Sequence, residues 1–102
     1  MLFHITSQHT WETCEGSRAF KGEDLPPRSE RQRWLEGNDK VKVIAAYGYQ
    51  TRHRYYAIVE ADDYADVQAL FSGAGHIRNG EVEVLPVNDV IANRKAYGEW
   101  GK

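Results

Sequence analysis

Two side chains suited to proton chemistry, His4 and Glu60, lie far apart in this chain, yet its strand pattern brings them together. A carboxylate beside an imidazole favours the imidazolium and orients the ring for proton transfer, the arrangement of a cofactor-independent acid/base step. Leu2 to Thr10 alternates Phe3, Ile5 and Ser7 with His4, Thr6 and Gln8, the period of a half-buried strand. Val41 to Gln50 and Tyr55 to Ala61 alternate likewise, and the polar link Thr51-Arg52-His53 joins them as a hairpin. With Gln50 and Arg54 flanking the turn, Ile44 faces Glu60 and Ala46 faces Ile58. One face then holds Phe3, Ile5, Val43, Ala45, Ala57 and Val59, an apolar set suited to helices. The opposite face holds the catalytic candidates His4 and Glu60 with Ile58, Ala46 and Glu83. Thr6, Gln8, Tyr56 and Gly48 are the candidate ligand-binding residues there. Titratable groups mixed with small residues suit a lined pocket for a small, partly apolar molecule. The competing reading is a polar pair satisfying itself at a dimer interface, and a one-residue slip would move every side chain to the other face.

The other chemical candidates are weaker. Arg52-His53-Arg54 can hold an anion, although charges at a hairpin tip are usually just solvated. His76 and Arg78 fall between a helix and a strand near the rim. His9 and Trp11 follow the first strand and can close over a pocket, though a Trp there more often packs. Cys14 has Glu12 and Glu15 as neighbours, which disfavour a thiolate, so it does not read as a nucleophile. His4, His9, His53 and His76 are scattered, and no C-x-x-C or H-E-x-x-H occurs, so no metal site is expected. Gly73-Ala74-Gly75 follows a helix instead of opening one and makes no phosphate loop. No cofactor is expected.

The elements that must position these groups follow in order. Trp11 to Asp24 has no clear period and reads as a functional or mobile loop, unless Trp11, Cys14 and Phe20 anchor an unrecognised element. Pro26 to Glu36 reads as a helix carrying Trp34 and Leu35, ended by Gly37-Asn38. After the hairpin, Asp62 and Asp63 supply an N-cap and a first-turn acid. Tyr64, Val67, Leu70 and Phe71 make one apolar helical stripe beyond them. Asn79-Gly80 is a turn, Glu81 to Val87 a strand, and Asp89 to Trp100 a helix carrying Val90, Ile91, Tyr97 and Trp100.

This β-α-β-β-α-β order with right-handed crossovers is an α+β, ferredoxin-like fold plus a C-terminal helix. The first strand sits between the third and fourth, with the second outside the third, and both helices cover one face of the antiparallel sheet. The uncovered face exceeds what monomers usually expose, so a homodimer is expected. The 102 residues make one domain, and 41% hydrophobic with 27% charged residues is an ordinary globular balance. A formal charge of −2 gives no general attraction to phosphate or anionic lipid and counts against nucleic-acid and membrane partners. No apolar run approaches the roughly 20 residues that cross a bilayer. M-L-F-H-I-T lacks a secretory pattern and the single cysteine cannot form an internal disulfide, so the expected location is cytoplasmic.

M-L-F-H-I-T, G-Y-Q…Y-A-I-V-E-A-D-D and V-L-P-V together resemble a family of small uncharacterised bacterial proteins in the dimeric α/β-barrel superfamily. The likeness covers most of the chain except Trp11 to Asp24 and the C-terminal end, and its motifs are structural. It implies two sheets packed into one barrel across a dimer. Relatives in that superfamily include antibiotic-biosynthesis monooxygenases, chlorite-dismutase-like haem proteins and muconolactone-isomerase-like enzymes. The resemblance therefore leaves open a monooxygenase- or isomerase-like enzyme, a ligand-binding module and a structural dimer.

Overall fold

The strand alternation places Phe3, Ile5 and Ser7 on the buried side of β1 (Leu2–His9) in the computed structural model, which describes residues 1–102. The chain continues through α1 (Glu15–Phe20), α2 (Arg28–Arg31) and a 3-10 turn at Arg33–Glu36 to β2 (Val41–Tyr49). A second 3-10 turn, Gln50–Arg52, leads into β3 (Arg54–Ala61), followed by α3 (Tyr64–Gly73), α4 (His76–Asn79), β4 (Gly80–Val87) and α5 (Val90–Ala96). The sheet is four-stranded and antiparallel, in the order β2-β3-β1-β4, so the fold is the ferredoxin-like α+β arrangement with an added C-terminal helix. None of its helices is long and apolar enough to cross a membrane.

One face of the sheet meets the helices. Phe3, Ile5, Ala57 and Val59 pack there against Val67 and Phe71 of α3 and against Trp34. Asp63 caps α3 by accepting a hydrogen bond from the Ala65 amide at 3.0 Å, satisfying one of the free N–H groups of the first turn. Gly80 opens β4 opposite His9, where a Cβ would collide with the Gln8 carbonyl oxygen. Only a residue without a side chain lets β4 approach β1 so closely.

Several elements depart from the sequence reading: the expected turn at Asn79-Gly80 is instead α4 running directly into β4, and the C-terminal helix ends at Ala96. Trp11 to Asp24 is not a plain loop, because it contains α1; its only buried residue is Ser17, while Trp11 and Phe20 stay exposed. Pro26 to Glu36 is not one helix but a single turn of α-helix followed by a 3-10 turn that seats Trp34. β2 carries a bulge at Ile44, so Lys42 faces Glu60 and Ala45, not Ala46, faces Ile58. One inserted residue reverses the facing of everything beyond it. Ala45 therefore leaves the helix-covered side, and Ala46 and Gly48 turn towards it, pairing with Ala57 and Tyr55.

Candidate functional site

The open face carries His4, Thr6, Gln8, Tyr56, Ile58, Glu60 and Glu83 together, because even-numbered residues of β1 pair with even-numbered residues of β3. His4 and Glu60 share this face on neighbouring strands. Glu60 lies directly opposite Leu2, and His4 sits between Ile58 and Leu85. No hydrogen bond or ion pair joins the two side chains in the single chain. The nearest ring to His4 is that of Tyr56, 6.3 Å away between centroids. Gly48 does not belong to this group, since the Ile44 bulge turns it to the helix side against the Tyr55 ring. Gln8 and Tyr56 are tied to each other through Arg54, whose Nε donates to Gln8 Oε1 at 2.6 Å and whose Nη1 donates to the Tyr56 hydroxyl at 3.2 Å.

The cavity lies on the other side, where β1 ends and β3 begins. It encloses about 720 Å³ under α1, and its walls include Ser7, His9, Trp11, Cys14, Ser17, Arg28, Arg31, Trp34, His53, Tyr55 and His76. Local sequence explains how its floor is built. Thr10 and Thr13 exchange side-chain and backbone hydrogen bonds, and the Cys14 amide donates to the Thr10 carbonyl at 2.9 Å. That tight turn, made by two hydroxyl residues able to bond nearby backbone, folds Cys14 back over the end of β1. On the facing strand, His53 follows the 3-10 turn with φ 54° and ψ 45°, the one non-glycine residue in the left-handed region. His9 donates its amide to the His53 carbonyl at 3.1 Å. Gln8 Nε2 donates to the His9 carbonyl at 2.8 Å and the Arg52 carbonyl at 2.6 Å, clamping both strands at this level.

Those connections converge on a cluster absent from the sequence reading. Ring nitrogens of His9 and His53 and Sγ of Cys14 all lie within 4.8 Å of one another, each side chain half-buried. The two imidazoles meet edge to face at 5.3 Å, and Trp11 stands 6.0 Å from His53. Burial holds His9 below the ordinary imidazole range, the facing His53 adds to that, and Glu15 opposes it. Of the candidates at the hairpin tip, only His53 and Arg54 reach the cavity wall; Arg52 is exposed.

His76 is not at the rim. It sits half-buried in an aromatic box, with ring centroids of Trp34 at 4.9 Å, Phe71 at 5.3 Å and Tyr55 at 6.0 Å. Its Nδ1 shares a 2.9 Å hydrogen bond with Ser7 Oγ. Burial above all, and then His9, lowers its pKa to about 4, so the ring is neutral at pH 7. Arg78, on the same helix, stays exposed. Glu15 stands between Arg31 at 3.7 Å and Asn79 at 3.4 Å and ties α1 to its neighbours across the cavity. Ser17, buried in the cavity wall, has a hydroxyl with no hydrogen-bond partner.

The wall thus offers aromatic faces, more guanidinium groups than carboxylates, neutral imidazole and a thiol. Such a lining can stack a flat apolar body, hold an acidic group, or donate nitrogen and sulfur to a metal. No curated protein matches the sequence. The model of a domain of unknown function, DUF3303, matches residues 1–100, and the chain belongs to that family.

Proposed function

We propose that the protein binds a small, partly apolar molecule carrying an acidic group, in the cavity under α1. The observation that carries this reading is the cavity itself, about 720 Å³ with aromatic and cationic walls. Its volume lies within the roughly 300–1,000 Å³ typical of ligand sites. Trp11 and Tyr55 supply the stacking surfaces, and Arg28, which makes no ion pair in the protein, supplies charge for a carboxylate.

A thermal-shift series with benzoate-type aromatic carboxylates tests the reading. At tenfold Kd a bound ligand adds about 1.4 kcal/mol, or about 6–11 °C in Tm for a domain of this size. Trp11→Ala and Arg28→Ala abolish that shift, whereas Tyr47→Ala, on the open face, leaves it intact. A shift that survives both cavity changes and vanishes in Tyr47→Ala refutes the assignment.

A second reading concerns the open face. We propose that two copies of the chain pack there as the barrel of the dimeric α/β-barrel superfamily. The accessible surface is 7276 Å², about 1,400 Å² above the roughly 5,900 Å² expected for a compact monomer of this mass. That excess falls within the roughly 1,000–2,500 Å² per partner of an obligate interface. The radius of gyration is 15.9 Å, against about 13 Å for a compact chain of this length. The C-terminal arm contributes to both, since Val90, Tyr97 and Trp100 are 73%, 78% and 54% exposed. Its Arg94 and Lys95 complement Glu60, Glu81 and Glu83 on the open face. His4 and Glu60 would then be enclosed between two sheets, where an acid/base role becomes chemically meaningful. A soluble protein of the reducing cytoplasm fits a single unpaired cysteine.

A further inference from the structure

We propose that His9, Cys14 and His53 form a binding site for a zinc-class divalent cation, three protein ligands with the fourth position open to the cavity. The inference rests on the convergence of these side chains and stands whether or not the cavity takes an organic ligand. Two imidazoles and a thiolate are a borderline-soft donor set of the kind that zinc, cobalt(II) and copper favour over magnesium or calcium. Three protein ligands with a vacant direction towards a cavity is the form of an open site, as opposed to a closed structural one.

The geometry lies close to what such an ion needs. Zinc–nitrogen and zinc–sulfur bonds of about 2.0–2.3 Å in a tetrahedron set neighbouring ligand atoms about 3.3–3.8 Å apart. The ligand atoms here already fall within 4.8 Å, so closing the site takes a movement of about 1 Å by half-buried side chains. An ion can enter from the cavity that all three line. The backbone holds the ligands in place before any ion arrives. His9 and His53 are joined by a main-chain hydrogen bond and clamped by Gln8, and Cys14 is returned to them by the Thr10–Thr13 turn. His53 is held in the left-handed region, which a non-glycine residue seldom adopts. In that conformation its ring meets His9 edge to face. Binding releases the Cys14 proton to solvent and uses both imidazoles in their neutral form.

Cobalt(II) titration of the whole protein tests the proposal, because tetrahedral cobalt with a thiolate ligand absorbs intensely in the visible and adds a sulfur-to-cobalt charge-transfer band in the near ultraviolet. We expect one equivalent bound with both features, displaced by one equivalent of zinc. Cys14→Ser removes the charge-transfer band. His53→Asn keeps the left-handed backbone, which Asn tolerates, and weakens zinc binding by about a hundredfold or more, beyond the loss of an outer-shell partner. Circular dichroism verifies that both variants fold. Independently of any variant, stoichiometric zinc should protect Cys14 from iodoacetamide. A pale octahedral cobalt spectrum, alkylation equally fast with and without zinc, or folded variants that bind zinc like the wild type would overturn it.

Discussion

Acid should weaken this fold through one buried ring. His76 titrates at about 4 in the folded protein, against 6.5 for an unperturbed imidazole. The folded pKa lies below the unfolded one, so the unfolded chain binds more protons between those values, and stability rises with pH across the window. The contribution is complete above about pH 6.5, is lost as pH falls, and changes no further below about pH 4. A difference of this size corresponds to about 3 kcal/mol at 1.36 kcal/mol per pK unit, a large part of the 5–15 kcal/mol typical of a domain. The cause is visible in the box. Trp34, Phe71 and Tyr55 exclude water, and Ser7 offers one hydrogen bond where an imidazolium needs two acceptors. His9 is lowered too and acts in the same direction, while the paired carboxylates of Glu23 and Glu30 also lose stability in acid. The test is therefore a difference. Urea unfolding of the wild type and of His76→Gln, with a chelator present, is compared from pH 7.5 to pH 4. The wild type should lose about 3 kcal/mol more than the variant over that range. Parallel curves, or an NMR titration placing His76 near 6.5, would refute the reasoning.

The other predictions are simpler. Light scattering should give twice the 11.7 kDa chain mass, and Leu85→Lys or Tyr47→Asp on the open face should return it to monomer; a wild-type monomer at micromolar concentration ends the barrel reading. Phe71→Ala, removing a ring that is 1% exposed, should cost about 3–5 kcal/mol in urea unfolding, and a loss under 1 kcal/mol would mean the box collapses around it. Amides of α1 should exchange faster than those of β3, because α1 buries only Ser17. Equal protection would mean that α1 is locked to the sheet.

The architecture was legible because it is written in short-range patterns. Alternation in Leu2–His9 and in Arg54–Ala61 assigns Phe3, Ile5, Ala57 and Val59 to one side, and the core is built on that side. The Asp63 cap and the Val67–Phe71 stripe mark α3 in the same way. What escaped has no period of its own. The bulge at Ile44 inserts a residue into an otherwise regular run, and nothing in V-K-V-I-A-A-Y-G-Y marks where the ladder slips. That single insertion carried Gly48 out of the predicted ligand group and exchanged Ala45 with Ala46. α1 was missed because E-G-S-R-A-F has no apolar stripe and includes a glycine, so neither periodicity nor propensity announces it.

The cavity was illegible for a deeper reason. Sequence motifs for metals and catalysis record ligands that share one helix or one turn, where fixed spacing means fixed geometry. Here Cys14 comes from a turn, His9 from a strand end and His53 from a hairpin tip, so no single element fixes their spacing. The register that pairs Gln8 with Arg54 also puts His9 beside His53, so the pairing already held that half of the cluster. Hairpin register alone cannot place Cys14, because its position depends on two threonine hydroxyls closing a turn against their own backbone. Thr10→Ala should therefore loosen Cys14 while leaving His9 and His53 paired. In the cobalt experiment that variant should lose much of its sulfur-to-cobalt band and keep its imidazole-bound metal. An unchanged band in Thr10→Ala would mean that α1, not the turn, delivers the thiol.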